Sequence, residues 1–105
     1  MRFELTDDEI MLRDMARDFV ARTVGDGAGA WDHARAIPPR VLAALDELGL
    51  GGLCAPESAG GAGLGLMALA VVVEALAVGS ASLAALTAAH AGPATVALAE
   101  AKAFL

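Results

Sequence analysis

Apolar residues in the first quarter of the chain recur at three- and four-residue steps. Leu12, Met15, Ala16, Phe19 and Thr23 fall on one mostly apolar face, which is the spacing of a helix with one buried side. Thr6 and Glu9 stand at the T-x-x-E spacing of a capping box, with Leu5 and Ile10 at the flanking staple positions. In that motif each side chain satisfies an otherwise orphaned backbone donor. The pattern predicts a helix from about Asp7 to Val24, ended by Gly25-Asp26-Gly27. Glu9/Arg13 and Asp18/Arg22 are i,i+4 pairs on its polar side and read as a solvated face. A loop carrying Trp31, Asp32 and His33 then leads to Pro38-Pro39. Proline suits a helix start because its missing donor would be unpaired there anyway. Val41, Leu42, Leu45 and Leu48 form the stripe of a second, short helix, and Gly49 is placed to stop it.

Leu50 to Gly65 is rich in glycine, at positions 51, 52, 60, 61, 63 and 65, with Pro56 among them. A third helix is predicted over roughly Leu66 to Val78. It is apolar nearly all round except for Glu74, the mark of a helix buried on most sides. After Gly79-Ser80 a fourth runs from about Ala81 to Ala91, and Pro93 opens a fifth carrying Val96, Leu98 and Glu100. No segment alternates with a period of two, so the chain reads as all-α. No internal repeat stands out at the periods typical of solenoids.

Composition adds an expectation about surfaces. The 105 residues are 57% apolar before the 12 glycines are counted. With them the share is about two-thirds, against roughly 45–50% for soluble domains. One domain of this size has a high surface-to-volume ratio and needs more polar cover. Part of its apolar surface is therefore expected to belong to an interface. The alternative is that alanine, which tolerates exposure, inflates the count.

The net charge of -6 comes from acidic residues spread along the chain. That argues against nucleic acid, which is bound by clustered Lys and Arg. The lone Cys54 cannot form an internal disulfide, which fits a reducing cytosol, and it reads as a small buried hydrophobe. Met1 to Glu9 has no apolar core and is not a signal peptide. Ala75 to Ala99 lacks Asp, Glu, Lys and Arg and is long enough to cross a bilayer. Yet it is poor in strongly inserting residues, and Gly92-Pro93 is expected to divide it into two weak pieces. No membrane span is expected.

Few side chains offer chemistry. Gly61-Ala62-Gly63 has Leu66 where a dinucleotide fingerprint wants its third glycine or alanine, and no strand precedes it. A phosphate loop would need lysine, and none occurs before Lys102. The stretch reads instead as a tight loop where backbones pass closely. Glu74, alone in an apolar helix, is expected to be buried and to hold a loop or pair with arginine rather than act as a base. His33 and His90 have no partners at metal-ligand spacing, and Ser80, Ser82 and His90 make no triad. No catalytic residue and no metal site is assigned.

Read in order, these segments resemble the acyl-CoA dehydrogenase family. Leu5-Thr6-Asp7-Asp8-Glu9 followed by Arg17-Asp18-Phe19 is similar to that family's opening capping turn and first helix. Trp31-Asp32 and Pro38-Pro39 match its acidic-aromatic position and proline-led helix. Glu47 to Leu64 resembles the block E-L-G-[LW]-x-x-L-x-x-P-E-x-x-G-G-x-G-L, with Pro56, Glu57, Gly60, Gly61 and Gly63 in place. Glu74-Ala75-Leu76-Ala77-Val78-Gly79-Ser80 is similar to the E-x-[LM]-A helix and its small turn. Ala101-Lys102-Ala103-Phe104-Leu105 resembles the closing Q-K-x-[YF]-L, with Ala101 where glutamine is usual. The loop at Arg35 and Ala36 matches no family pattern.

The resemblance implies an all-α, up-and-down bundle of about five helices. It would be the family's N-terminal domain over residues 1–105, without the middle β-domain and C-terminal helical domain. It implies an intact cytoplasmic enzyme that uses FAD to oxidise an acyl-CoA thioester to its 2,3-enoyl form. An electron-transfer flavoprotein would be the acceptor, in a homo-oligomer. The base and main flavin contacts would lie beyond Leu105, so the piece alone is expected to be inactive. The helix after the small turn lies near the acyl cavity in the family, which implies a substrate-binding role for Ala84, Ala85 and Ala88. Small side chains there leave volume for long, branched or bulky acyl groups; plain helix packing is the other reading. Two alternatives stay open, a non-catalytic helical interaction subunit and a related flavin oxidase or monooxygenase.

Overall fold

The first helix begins where its capping box places it. The hydroxyl of Thr6 accepts the Glu9 N–H at 3.2 Å, and the Glu9 carboxylate accepts the Thr6 N–H at 2.9 Å. Asp7, Asp8 and Glu9 fill the first turn, where negative charge meets the positive end of the helix dipole. This helix, α1, spans Asp7–Phe19 and runs on through a π turn at Val20–Val24 to Gly25. Because Glu9 is committed to the cap, Arg13 turns to Asp14 at 3.2 Å instead of forming the expected pair with Glu9. Asp18 and Arg22 do pair, at 2.9 Å. The computed structural model describes residues 4–102, so Met1–Phe3 and the last three residues of the terminal motif lie outside it.

The segment expected to be a loop around Trp31 is a seven-residue helix, α2, over Ala28–Ala34. So short an element offers too few positions for a periodic signal. Trp31 is buried in the core while its neighbours Asp32, His33 and Ala34 are exposed, so tertiary anchoring of one indole holds this helix in place. Helix α3, Pro39–Glu47, starts on Pro39 and ends before Gly49, whose φ of 77° is left-handed. Val41 and Leu45 are buried and Leu42 partly so, whereas Leu48, expected in the stripe, is exposed.

Helix α4 spans Leu66–Gly79 and α5 spans Ala81–Ala89, with Ser80 alone between them. Ser80 serves both ends. Its N–H closes α4 on the Leu76 carbonyl at 2.9 Å, and its hydroxyl accepts the Leu83 N–H at 3.1 Å as the cap of α5. Gly92-Pro93 does not divide the chain as expected. A π turn at His90–Ala94 carries α5 into α6, Thr95–Lys102, as one rod. The wider turn takes Thr95 N–H to the His90 carbonyl. It thereby absorbs a proline that would clash in a regular α-helix. With α5–α6 counted as one, five helices and no strands make up the described residues.

The core is a seam between α1, α4 and α5, closed by α2, α3 and the glycine-rich loop. Leu12, Ala16 and Phe19 meet Leu69, Val72 and Leu76, with Leu83 and Ala84 completing the seam. Burying each large side chain is worth about 1.5–3 kcal/mol. Small residues set how closely the elements approach. Ala16 is fully buried, and a Cβ on Gly79 would stand 2.6 Å from Val20 Cγ1.

Helix α4 is not buried on most sides. Its inner row is, but Leu66, Met67 and Val78 are exposed, Val78 by 86%. Glu74 is exposed as well, contrary to expectation, because it lies in an open groove between α4 and α1 rather than in the core seam. The α5–α6 rod is still barer. Its 21 residues from Ala81 to Ala101 are long and apolar enough to cross a membrane by length and composition, and its most apolar window is only 28% buried.

Candidate functional site

Helix α5 places three kinds of surface around one axis. Leu83, Ala84, Thr87 and Ala91 face the core. At 100° per residue, Ala84, Ala88 and Ala85 follow one another round the helix through an arc of about 100°. Their exposure follows that order, with Ala84 buried, Ala88 half-buried and Ala85 exposed. The three alanines singled out from the sequence therefore form one continuous small-residue wall. It begins in the core and opens outward, with no charged side chain on α5 itself.

On the opposite flank, about 160° round the helix from Ala88, Leu86 and His90 open a cleft toward α3. Leu42, Leu45, Asp46, Gly51 and Thr87 complete its lining, and its volume is about 240 Å³. The Thr87 hydroxyl is turned away, donating to the Leu83 carbonyl at 2.8 Å, so the floor is apolar. Sequence reasoning missed this cleft. Leu86 and His90 are one helical turn apart and legible as neighbours, but Asp46 and Gly51 join them only through the packing of α3 and the loop.

The glycine-rich stretch is closed upon itself. The N–H groups of Ala62, Gly63 and Leu64 are donated across the loop to the carbonyls of Gly52, Ala55 and Leu53, at 3.1, 2.8 and 3.0 Å. The Gly61 N–H goes to the Pro56 carbonyl at 3.1 Å. A Cβ on Gly61 would stand 2.3 Å from the Ala55 oxygen, so only glycine permits the crossing. These four donors close the loop on itself and so do not point outward as a pyrophosphate cradle would require. The tight-loop reading holds.

The remaining polar groups build no catalytic centre. Glu74 shares a shallow groove with Arg13 and Arg17, yet makes no ion pair among the described residues. His33 and His90 stand on different helices, and among the described residues no cluster of three His, Cys, Asp or Glu could hold a metal. Cys54 is half-buried, its sulfur 3.9 Å from the Gly65 carbonyl. A contact of 3.5 Å from the Ser82 hydroxyl to Asp32 joins α5 to α2 at the surface.

The family model described as "Acyl-CoA dehydrogenase, N-terminal domain" matches residues 6–101. Benzylmalonyl-CoA dehydrogenase of Aromatoleum aromaticum is 39% identical over 84 residues, covering 80% of this chain and 22% of that protein. The mitochondrial isobutyryl-CoA dehydrogenase of Dictyostelium discoideum is 36% identical over 73 residues, covering 70% of this chain and 18% of that protein. For (2S)-methylsuccinyl-CoA dehydrogenase of Cereibacter sphaeroides the identity is 41% over 73 residues, covering 67% and 13%. No solved structure gives a significant match. The matched region thus spans about a fifth or less of these relatives' length. All-helical among its described residues and matched from the capping box almost to the end of the α5–α6 rod, this chain belongs to the acyl-CoA dehydrogenase family, as its N-terminal domain.

Proposed function

We propose that this chain is the N-terminal helical part of a flavin-dependent dehydrogenase acting on α-branched acyl-CoA thioesters, and that it supplies scaffold and one wall of the acyl pocket. The observation that carries the reading is the long, mostly apolar and largely uncovered α5–α6 rod within a match that runs from residue 6 to 101. An apolar rod of this length needs cover. The family assignment favours protein cover over lipid, because the matched relatives carry most of their length outside this region.

In the reaction, the acidic α-proton of the thioester leaves to a base and a hydride leaves the β-carbon; FAD would supply the hydride acceptor. No step of it is assigned to these residues. Their part is shape. Ala85 and Ala88 would face the acyl group, with Ala84 filling the core behind them. Three relatives are named for benzylmalonyl, isobutyryl and (2S)-methylsuccinyl thioesters, all substituted at the α-carbon, and methyl-sized wall residues leave room for such a branch.

The reading is tested by co-expressing the chain with the polypeptide encoded downstream of it. A stoichiometric yellow complex that reduces an artificial electron acceptor with isobutyryl-CoA is expected, whereas the chain alone should be colourless. A colourless complex would instead favour the interaction-subunit reading, which the same bare rod supports. A yellow chain on its own would contradict the site assignment.

A further inference from the structure

We propose that the cleft between α3 and α5 is a socket for one arginine side chain, an alkyl stem ending in a guanidinium, presented by a polypeptide that covers this face. Leu42, Leu45 and Leu86 form apolar walls for the stem. Two polar groups converge above them. The point where a Cβ on Gly51 would stand lies 3.0 Å from Asp46 Oδ1 and 3.6 Å from His90 Nε2. Gly51 does not have a positive φ, so its backbone would accept other residues. Asp46 Oδ1 and His90 Nε2 thus flank Gly51 at the edge of the cleft's open space, beside its apolar walls.

A guanidinium suits that space. Its planar fork donates several N–H groups at once, to the carboxylate and to a neutral imidazole nitrogen, while its methylenes lie along the leucines. An anion would be repelled by Asp46, and a small hydrated cation would leave the apolar walls unused. Asp46 makes no ion pair among the described residues. The source is argued from cover: Leu86 at the rim is 44% exposed, and the relatives carry at least three-quarters of their length outside the matched region. This socket is independent of the acyl wall, which lies on the other flank of α5.

The test is a titration of the ¹⁵N-labelled 105-residue chain with n-butylguanidinium, using pentanoate and n-butanol as anionic and neutral controls. Saturable amide shifts centred on Asp46, Gly51, Leu86 and His90 are expected for the guanidinium alone. Asp46→Asn, an exposed position that leaves the core intact, should weaken the Kd at least fivefold while distant amides keep their shifts. Equal saturation by butanol, an unchanged Kd in Asp46→Asn, or no saturable shift would overturn the proposal. Shifts of the same amides on raising protein concentration alone would assign the cleft to a second copy and overturn it equally.

Discussion

Replacing Gly61 by alanine probes the closest backbone crossing in the domain. The new methyl would stand 2.3 Å from the Ala55 oxygen and 2.4 Å from the Ala55 Cβ, where relaxed contacts need about 3.5–4 Å. The two arms of the loop must part by roughly 1 Å. That separation stretches the crossing bonds of Gly63 to Ala55 and Leu64 to Leu53, now 2.8 and 3.0 Å. Overpacking of this kind costs about 1–3 kcal/mol, and each weakened bond about 1 kcal/mol more. A loss on the order of 3–5 kcal/mol is therefore expected. At about 4–8 °C per kcal/mol for a small domain, Tm should fall by roughly 10 °C or more. Gly29→Ala is the matched control. It lies inside α2 with nothing within 4 Å of the added methyl, so it should stabilise by about 0.5–1 kcal/mol. Circular dichroism at 222 nm during heating reads both. A Gly61→Ala protein within about 0.5 kcal/mol of the parent, beside a stabilised control, would refute the steric argument.

Thr6→Ala should cost about 1 kcal/mol by opening the capping box, and Thr6→Ser should restore most of it in the same melt. Trp31→Ala removes a buried indole and should cost about 3–5 kcal/mol. Because Trp31 is the only tryptophan, its emission in the parent should shift to the red in step with the loss of helix, and a shift that precedes that loss would show α2 to be a separate, weaker unit. In the assembled enzyme Ala88→Leu adds three carbons to the wall and should lower kcat/KM for isobutyryl-CoA at least roughly tenfold to hundredfold, since one misplaced methylene is already worth about that much in an apolar pocket. An unchanged profile across branched and straight substrates would remove Ala88 from the acyl wall.

The errors of sequence reading share a cause. Apolar neighbours along α4 predict a buried Glu74, but neighbours on one helix do not say what covers it, and Glu74 stands exposed in an open groove. Gly92-Pro93 reads as a break with Pro93 opening a new helix, yet a π turn carries α5 straight into α6. The seven residues around Trp31 carry no period that marks a helix, yet burial of the indole organises one. The three-alanine wall was legible, since i+1 and i+4 positions on a helix fix their own relative directions. The α3–α5 cleft was not, because it joins residues 42 to 51 with residues 86 to 90.

Local chemistry, then, was written in the chain itself. The capping box at Thr6, the start at Pro39, the stop at Gly49 and the break at Gly79-Ser80 depend on groups a few residues apart, and each formed as read. The family likewise followed from their order along the sequence. Tertiary structure decided which apolar faces were covered, which proline could be tolerated, and that Asp46 and His90 would line one cleft. Those outcomes depend on contacts between distant segments, whose geometry is set by how whole helices pack and not by any one stretch of residues.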